Sequence, residues 1–337
     1  MNATKVYNNP VQFLAITSLQ VEEFDLLLGV FTNRWRQWYK HHDFRMKRRN
    51  KPRSARATQA PTQTLATDLD KLFFILYIFK NNPLQQLAAA TFDMDQGQVS
   101  KWIKILSPIL VSAIKDLHLQ PARDMEELVR LFRDRKEHDD IDQHDTQVQT
   151  LNVDVTERPI SRSVDYEAQR KDYSGKQKQH TAKNTVICDE YQFIHFLGST
   201  WRGAIHDKKM IEQEIPDWST LDMEHIWLTK DSGYQGYDPD GVIVLEPFKA
   251  LRNRPLTDLK KQINSCISSI RIVVEHAIGG IKRLRLVSEK WRLGAEQRID
   301  QAMYIAAGLH NLQIKQRKTS FVGAHARTGA RLDIFRS

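Results

Sequence analysis

Three acidic residues, Asp154, Asp231 and Glu275, stand where carboxylates can hold divalent cations. Asp154 lies inside the short β pattern Leu151-Asn-Val-Asp-Val155, a mostly buried run that suits a charge only when a cation or partner offsets its desolvation. Asp231 follows directly on the β pattern Ile226-Trp-Leu-Thr229. It sits in Lys230-Asp-Ser-Gly-Tyr-Gln-Gly236, where Gly233 and Gly236 permit a sharp turn. Glu275 belongs to a long helix expected over about Asp258 to Leu284. On that helix Asn264, Ser268, Arg271, Glu275 and Lys282 fall on one narrow stripe, while Ile263, Ile267, Ile270, Val274 and Ile281 form a separate apolar face. A solvated side of an amphipathic helix would give the same stripe, but two strand carboxylates upstream weigh against that. Three carboxylates from two strands and a helix offer the oxygen ligands that a pair of Mg²⁺ or Mn²⁺ ions requires. Such ions, about 4 Å apart, serve in-line phosphoryl transfer, and a nearby Lys or Arg steadies the phosphate charge.

These residues need a scaffold, and the pattern from Leu151 onwards is mixed. Lys183–Cys188 and Phe193–Leu197 predict a hairpin around Asp189-Glu-Tyr, and Val242–Leu245 a further strand. Strands followed by a carboxylate-bearing helix predict an α/β or α+β catalytic domain over residues 150–312. Everything before it reads as helical or charged. Leu19, Phe24, Leu27, Leu28, Phe31 and Trp35 recur at helical spacing, and a basic stretch, Arg45 to Arg56, follows as a mobile arm or loop, completing an N-terminal segment 1–64. Residues 65–120 have the shape of a helix-turn-helix: Pro83–Thr91, the turn Phe92–Asp95, then Gln96–Lys104. Pro83 suits a first helical turn, and Asp95 with Gln98 forms a capping box. Leu87, Val99, Trp102 and Ile103 close a small core, leaving Gln96, Gln98, Ser100, Lys101 and Lys104 facing outwards, side chains suited to base edges and phosphates. Residues 121–149 are polar and charged. Their His138-Asp-Asp-Ile-Asp-Gln-His-Asp145 run has no apolar face to fix metal ligands and is expected to be an exposed linker. Residues 313–337 are basic, aperiodic and expected to be disordered.

Composition agrees with a polyanionic partner. The 337 residues carry 50 Lys and Arg against 41 Asp and Glu, a formal charge of +9. Cys188 and Cys266 lie outside any CxxC spacing, so neither a disulfide framework nor a zinc knuckle is indicated and a reducing compartment fits. No apolar run reaches the roughly 20 residues that span a bilayer, and the first ten residues lack an apolar signal core, so a soluble intracellular protein is expected.

At these motifs the chain resembles the insertion-sequence-five superfamily of bacterial DDE transposases, related to the Harbinger (PIF) elements of eukaryotes. The resemblance runs from the helix-turn-helix through Asp154-Val-Thr-Glu157, Tyr173-Ser-Gly-Lys176, His180-Thr181 with Lys183, Gly203-Ala-Ile-His-Asp207 and Asp231-Ser-Gly-Tyr234 to Arg271, Glu275 and Lys282. It implies a ribonuclease H-like fold and catalysis by Asp154, Asp231 and Glu275 with two Mg²⁺ or Mn²⁺ ions. The implied reaction is cleavage at terminal inverted repeats and joining of the 3′ ends to target DNA. The implied protein works as a dimer or higher oligomer on double-stranded DNA, in the bacterial cytoplasm at the nucleoid. Arg271 and Lys282 would contact phosphates or steady the site, and Tyr173, Lys176 and His180 would face DNA. Ser268 stands where the family usually has tyrosine, and Val155 where glycine is frequent; neither removes a metal ligand. His206-Asp207 is the rival for the second carboxylate, but Asp231 follows a strand as a ribonuclease H-like arrangement requires, leaving Asp207 auxiliary. The alternative is a domesticated or inactive relative that keeps only DNA binding.

Overall fold

The computed structural model describes residues 1–54, 64–138, 149–221, 226–250, 255–293 and 296–325. Helices come first: α1 (Ala3–Tyr7), α2 (Pro10–Thr17), α3 (Val21–His41), α4 (Asp68–Asn81), α5 (Gln85–Phe92), α6 (Gln96–Asp116) and α7 (Met125–His138). Then follow β1 (Gln149–Pro159), α8 (Tyr166–Asp172), β2 (Tyr173–Ser174), β3 (Gln179–Cys188), β4 (Ile194–Leu197), β5 (Trp201–Arg202), α9 (Asp207–Glu214), β6 (Ile226–Thr229) and β7 (Ile243–Leu245). Helices α10 (Asp258–Lys282), α11 (Arg285–Ser288) and α12 (Glu296–His325) close the described chain.

The sheet runs β2-β3-β1-β6-β7, with β4 and β5 also on β3. β1 is antiparallel to β3, whose other edge is covered in turn by β2, β5 and β4, while β6 and β7 continue the sheet in parallel with β1. A strand buried on both faces must present apolar or paired side chains to each. β3 does so: Val186 and Cys188 enter one core, and Ile187 between them enters the other. Leu151 and Val153 join Ile187, Phe196, Leu228, Ile211 of α9 and Leu128 of α7 on one face. On the opposite face α10, α11 and α12 pack with Val186, Leu197 and the N-terminal helices in a single core. The N-terminal helices are therefore fused to the sheet domain through shared side chains.

Helix α4 lies at the centre of that core, buried from Lys71 to Phe79. α6 packs against both α3 and α12, and the latter crossing is close: a Cβ on Gly308 would stand 2.4 Å from Ile114 Cγ2. Asn311 fastens α12 to its neighbours with three bonds. Its Nδ2 donates to the Leu119 and Ile194 carbonyls, each at 2.9 Å, and its Oδ1 accepts from the Ile194 N–H at 2.8 Å.

The two-helix shape anticipated at 85–104 is present, joined by a short turn in which Asp93 takes φ 51°. Asp95 and Gln98 form the capping box, Gln98 N–H to Asp95 at 2.7 Å and Asp95 N–H to Gln98 at 3.1 Å. Five expectations are corrected. Leu87 is 58% exposed, because Ala88, Ala89 and Phe92 supply the inner face of α5, and Pro83 precedes the first helical turn. The basic segment is stitched to α3 as far as Ser54: Arg49 N–H donates to the His41 carbonyl and Arg53 N–H to that of Lys40. Residues 125–138 of the expected linker are helical because Leu128 and Phe132, one turn apart, bury themselves under the sheet. Lastly, α12 runs on to His325, past the expected tail boundary at 313, since Leu312 and Ile314 are core residues. The remainder of the acidic-histidine run, 139–148, and the end of the tail, 326–337, lie outside the described residues.

Gly308 gives a direct test of the fused core. Gly308→Val should destabilise the protein by about 1–3 kcal/mol through overpacking against Ile114. Adding Ile114→Ala should recover part of that loss in urea unfolding; no recovery would mean that the two helices do not meet there.

Candidate active site

β1 and β6 place two of the carboxylates. Their parallel register ends with Asn152 opposite Thr229, and these two are joined side chain to side chain by a hydrogen bond from Thr229 Oγ1 to Asn152 Oδ1. Two residues further along each strand stand Asp154 and Asp231. β6 has ended by then, so β1 beyond Asn152 pairs only with β3, and Asp154 lies opposite Val186 on the face covered by α10.

Helix α10 answers this pair with cations. Arg271 Nη1 lies 4.0 Å from Asp231 Oδ1, and its side chain is only 14% exposed. Burial pushes the Asp154 carboxyl above the ordinary carboxylate range. The Val155 N–H, donating to Asp154 Oδ1 at 2.7 Å, and the Arg271 charge oppose that rise, and Asp231 adds to it. Lys176 also acts on Asp154, and burial lowers the Lys282 ammonium while Asp154 and Glu157 hold it up. Asp154 is thus ringed by Lys176, Arg271 and Lys282. Glu275, one turn beyond Arg271 on α10, is exposed. Asn264 has a structural use instead, its side chain bonding both the N–H and the carbonyl of Phe248 at 2.8 Å.

The turn carrying Asp231 is held from beneath by Lys230. Its buried ammonium donates to the Tyr234 and Tyr237 carbonyls and pairs with Glu246 Oε2 at 2.8 Å. Tyr234 fills the space below, fully buried, its hydroxyl without a partner among the described residues, while Trp218 Nε1 donates to Tyr237 Oη at 2.6 Å. Residue types alone did not single out Lys230; its signal was a lysine directly following an apolar strand. The rival Asp207 opens α9 after the exposed His206 and is engaged by Lys183 Nζ at 2.9 Å, which also donates to the Ile205 carbonyl at 3.0 Å. Lys183 lies opposite Glu157 in the sheet, three residues along from the Asp154–Val186 pair and so on the other face. Asp207 therefore already has a buried cation, whereas Asp154 has none within ion-pair distance among the described residues.

The proposed DNA-facing residues fall in two places. Gln96, Gln98, Lys101 and Lys104 are exposed on the first turns of α6, with Ser100 half-buried among them. Lys176 is exposed in the β2–β3 turn near Asp154, and His180 begins β3, its ring edge-on to Tyr173 at 5.7 Å.

Hard divalent cations prefer oxygen donors, and the Asp154–Asp231 pair fits that preference: both are carboxylates, and Asp154 Oδ2 accepts no hydrogen bond from the described residues. Among the described residues no three Asp, Glu, His or Cys side chains converge into a ready cage. The arrangement is a facing pair with Glu275 at its margin.

An aspartate raised above its unfolded value of 3.8 binds its proton more tightly in the folded state, so stability is lost as pH rises through the folded value. Asp154→Asn should therefore raise the unfolding temperature near pH 7, and the gain should fade as pH falls below 3.8. Thermal unfolding across that range without added metal checks this; a variant less stable than wild type at pH 7 would contradict it.

Comparison with known proteins agrees with this geometry. Residues 153–311 match the family model described as DDE superfamily endonuclease, a span holding Asp154, Asp231 and Glu275 together. A probable transposase for insertion sequence element IS702 from Microchaete diplosiphon is 27% identical over 162 residues, 48% of this chain and 56% of that relative. The match thus spans about half the length of each protein. No solved structure matches. Residues 153–311 thus match a DDE superfamily endonuclease domain, and about half of the chain is similar to an insertion-sequence transposase.

Proposed function

We propose that the protein is an insertion-sequence transposase of the insertion-sequence-five type that cleaves element ends and joins them to target DNA. The observation that carries this is the parallel β1–β6 pairing, which brings Asp231, two residues past the end of β6, near Asp154 of β1, with Arg271 of α10 acting on both. The strand order, with one antiparallel neighbour of β1 and two parallel strands on its other side, supports a ribonuclease H-like reading of the domain. Asp154, Asp231 and Glu275 would hold two Mg²⁺ or Mn²⁺ ions, whose chemistry is to neutralise charge on the attacking and leaving oxygens of an in-line displacement.

The chain's own residues supply positioning. Lys230 fixes the Asp231 turn, Arg271 keeps two like charges compatible, and Lys176 and Lys282 attract the scissile phosphate. In cleavage a water oxygen bonds to phosphorus, its proton leaves to solvent, and the bond from phosphorus to the 3′ oxygen breaks, leaving a 3′-hydroxyl. In joining, that hydroxyl attacks a target phosphorus, loses its proton, and the target strand's own 3′ oxygen departs as a hydroxyl. Gln96, Gln98, Ser100, Lys101 and Lys104 of α6 read the terminal repeats, and two symmetric ends call for at least a dimer.

Full-length protein with Mg²⁺ or Mn²⁺ should nick a plasmid carrying the DNA that flanks its gene. Asp154→Asn, Asp231→Asn and Glu275→Gln should each slow nicking by on the order of 10³-fold or more while binding is retained. Plasmid left intact by the wild type, with Glu275→Gln behaving identically, would overturn the proposal. Ends released but never recovered joined to target DNA would reduce it to a nuclease.

A further inference from the structure

The basic stretch after α3 forms a built element. His42 and Arg48 make an antiparallel bridge, Asp43 N–H donates to the Lys47 carbonyl at 3.0 Å, and Met46 N–H donates to that of Asp43 at 2.9 Å. The tip is tight: Asp43 Oδ1 accepts from the Arg45 and Lys47 N–H groups at 2.8 and 2.9 Å, and Met46 takes φ 62°. Arg53 locks the base, its guanidinium 3.9 Å from the Tyr39 ring centre and donating to the Tyr39 and His42 carbonyls. Phe44 attaches the hairpin to α6, edge-on to Trp102 at 5.7 Å, and Lys101 Nζ lies 5.6 Å from the Phe44 ring centre.

This packing puts Arg45, Lys47, Arg48, Arg49 and Lys51, all exposed, beside the outward face of α6. None of the five forms an ion pair among the described residues, and no acidic residue occurs between Asp43 and Asp68. Concentrating like charges on a rigid loop costs self-repulsion, which a partner of high negative charge density removes. Duplex DNA is such a partner, with one charge per about 1.7 Å of axis. We infer that residues 42–51 form a phosphate-gripping wing, which clamps the backbone of duplex DNA beside the groove entered by α6. The inference rests on the DNA-binding reading of α6 and assigns the wing a distinct task. It supplies affinity and orientation without sequence preference, and Gln96 and Gln98 supply the preference.

The test uses the full-length protein and two short duplexes, one from the DNA flanking the gene and one of shuffled sequence, titrated at several salt concentrations. The combined variant Lys47→Gln, Arg48→Gln, Arg49→Gln and Lys51→Gln should weaken both duplexes by the same factor. Its log–log salt slope should be about 3 to 4 units shallower than that of the wild type. Gln98→Ala should instead reduce the preference for the flanking duplex and leave the slope unchanged. Phe44→Ala, with every charge kept, should weaken both duplexes by unseating the wing; the unfolding midpoint of each variant shows whether it is folded. An unchanged slope in a folded combined variant, or a loss confined to the flanking duplex, overturns the wing while leaving α6 intact. A wild-type protein that binds neither duplex overturns the DNA-binding reading and the wing together.

Discussion

Asp154 on β1 and Asp231, in the turn just past the parallel strand β6, repel each other, and their surroundings are organised around making that tolerable. Asp154 cannot move away, because β1 is fixed by β3 on one side and by the Asn152–Thr229 contact on the other. Asp231 cannot either, since Lys230 ties its turn down from below. What remains is to bring a cation to the pair, and α10 brings Arg271. Laying that helix across β1 in turn requires its apolar face, Ile267, Val274, Ala277 and Ile281, to find a core. The N-terminal helices complete that core.

The fused core changes how the two halves relate. A DNA-reading module joined by a flexible linker would leave the catalytic domain indifferent to it. Here α6 meets α12 at Gly308, Asn311 bonds across to the segment after α6, and Lys80 of α4 donates to the Arg283 carbonyl at 3.2 Å. The geometry between α6 and the Asp154–Asp231 pair is therefore rigid within this chain. Excising the N-terminal helices would strip the apolar backing from α10 along with any DNA contacts, so point substitutions separate recognition from catalysis where truncation cannot.

Much of this was legible in the sequence. The β1, β6 and α10 patterns, the β3–β4 hairpin and the Asp95–Gln98 capping box all follow local rules of period, turn and cap, and each formed where those rules placed it. Misreadings arose where long-range packing decided. Leu87 looked like core because it is apolar, yet α5 turns its alanines inward against α6. Residues 125–138 looked like linker because charge dominates their composition, although Leu128 and Phe132 alone suffice to seat a helix under the sheet. The basic arm looked mobile because nothing in its spacing reveals that Arg53 folds back onto Tyr39. At the site, the sequence offered Asp154 and Asp231 as separate candidates, and only the fold brings Asp231, just past β6, near Asp154 of β1.

The distribution of ion pairs separates support from function. Asp207 is matched by Lys183, Glu246 by Lys230 and Asp300 by Arg123, each pair fastening an edge of the sheet or a helix to it. Asp154 is different. It is buried enough for its carboxyl to be pushed upward, with cations near but none bonded to it among the described residues. A fold that pairs Asp207, Glu246 and Asp300 could have paired this one, at a gain in stability. A carboxylate left in this state is a candidate for a cationic ligand, and its burial costs stability. By the same reasoning Arg271 is suited to its place because its contact with Asp231 is long, at 4.0 Å, so it screens the pair without occupying it.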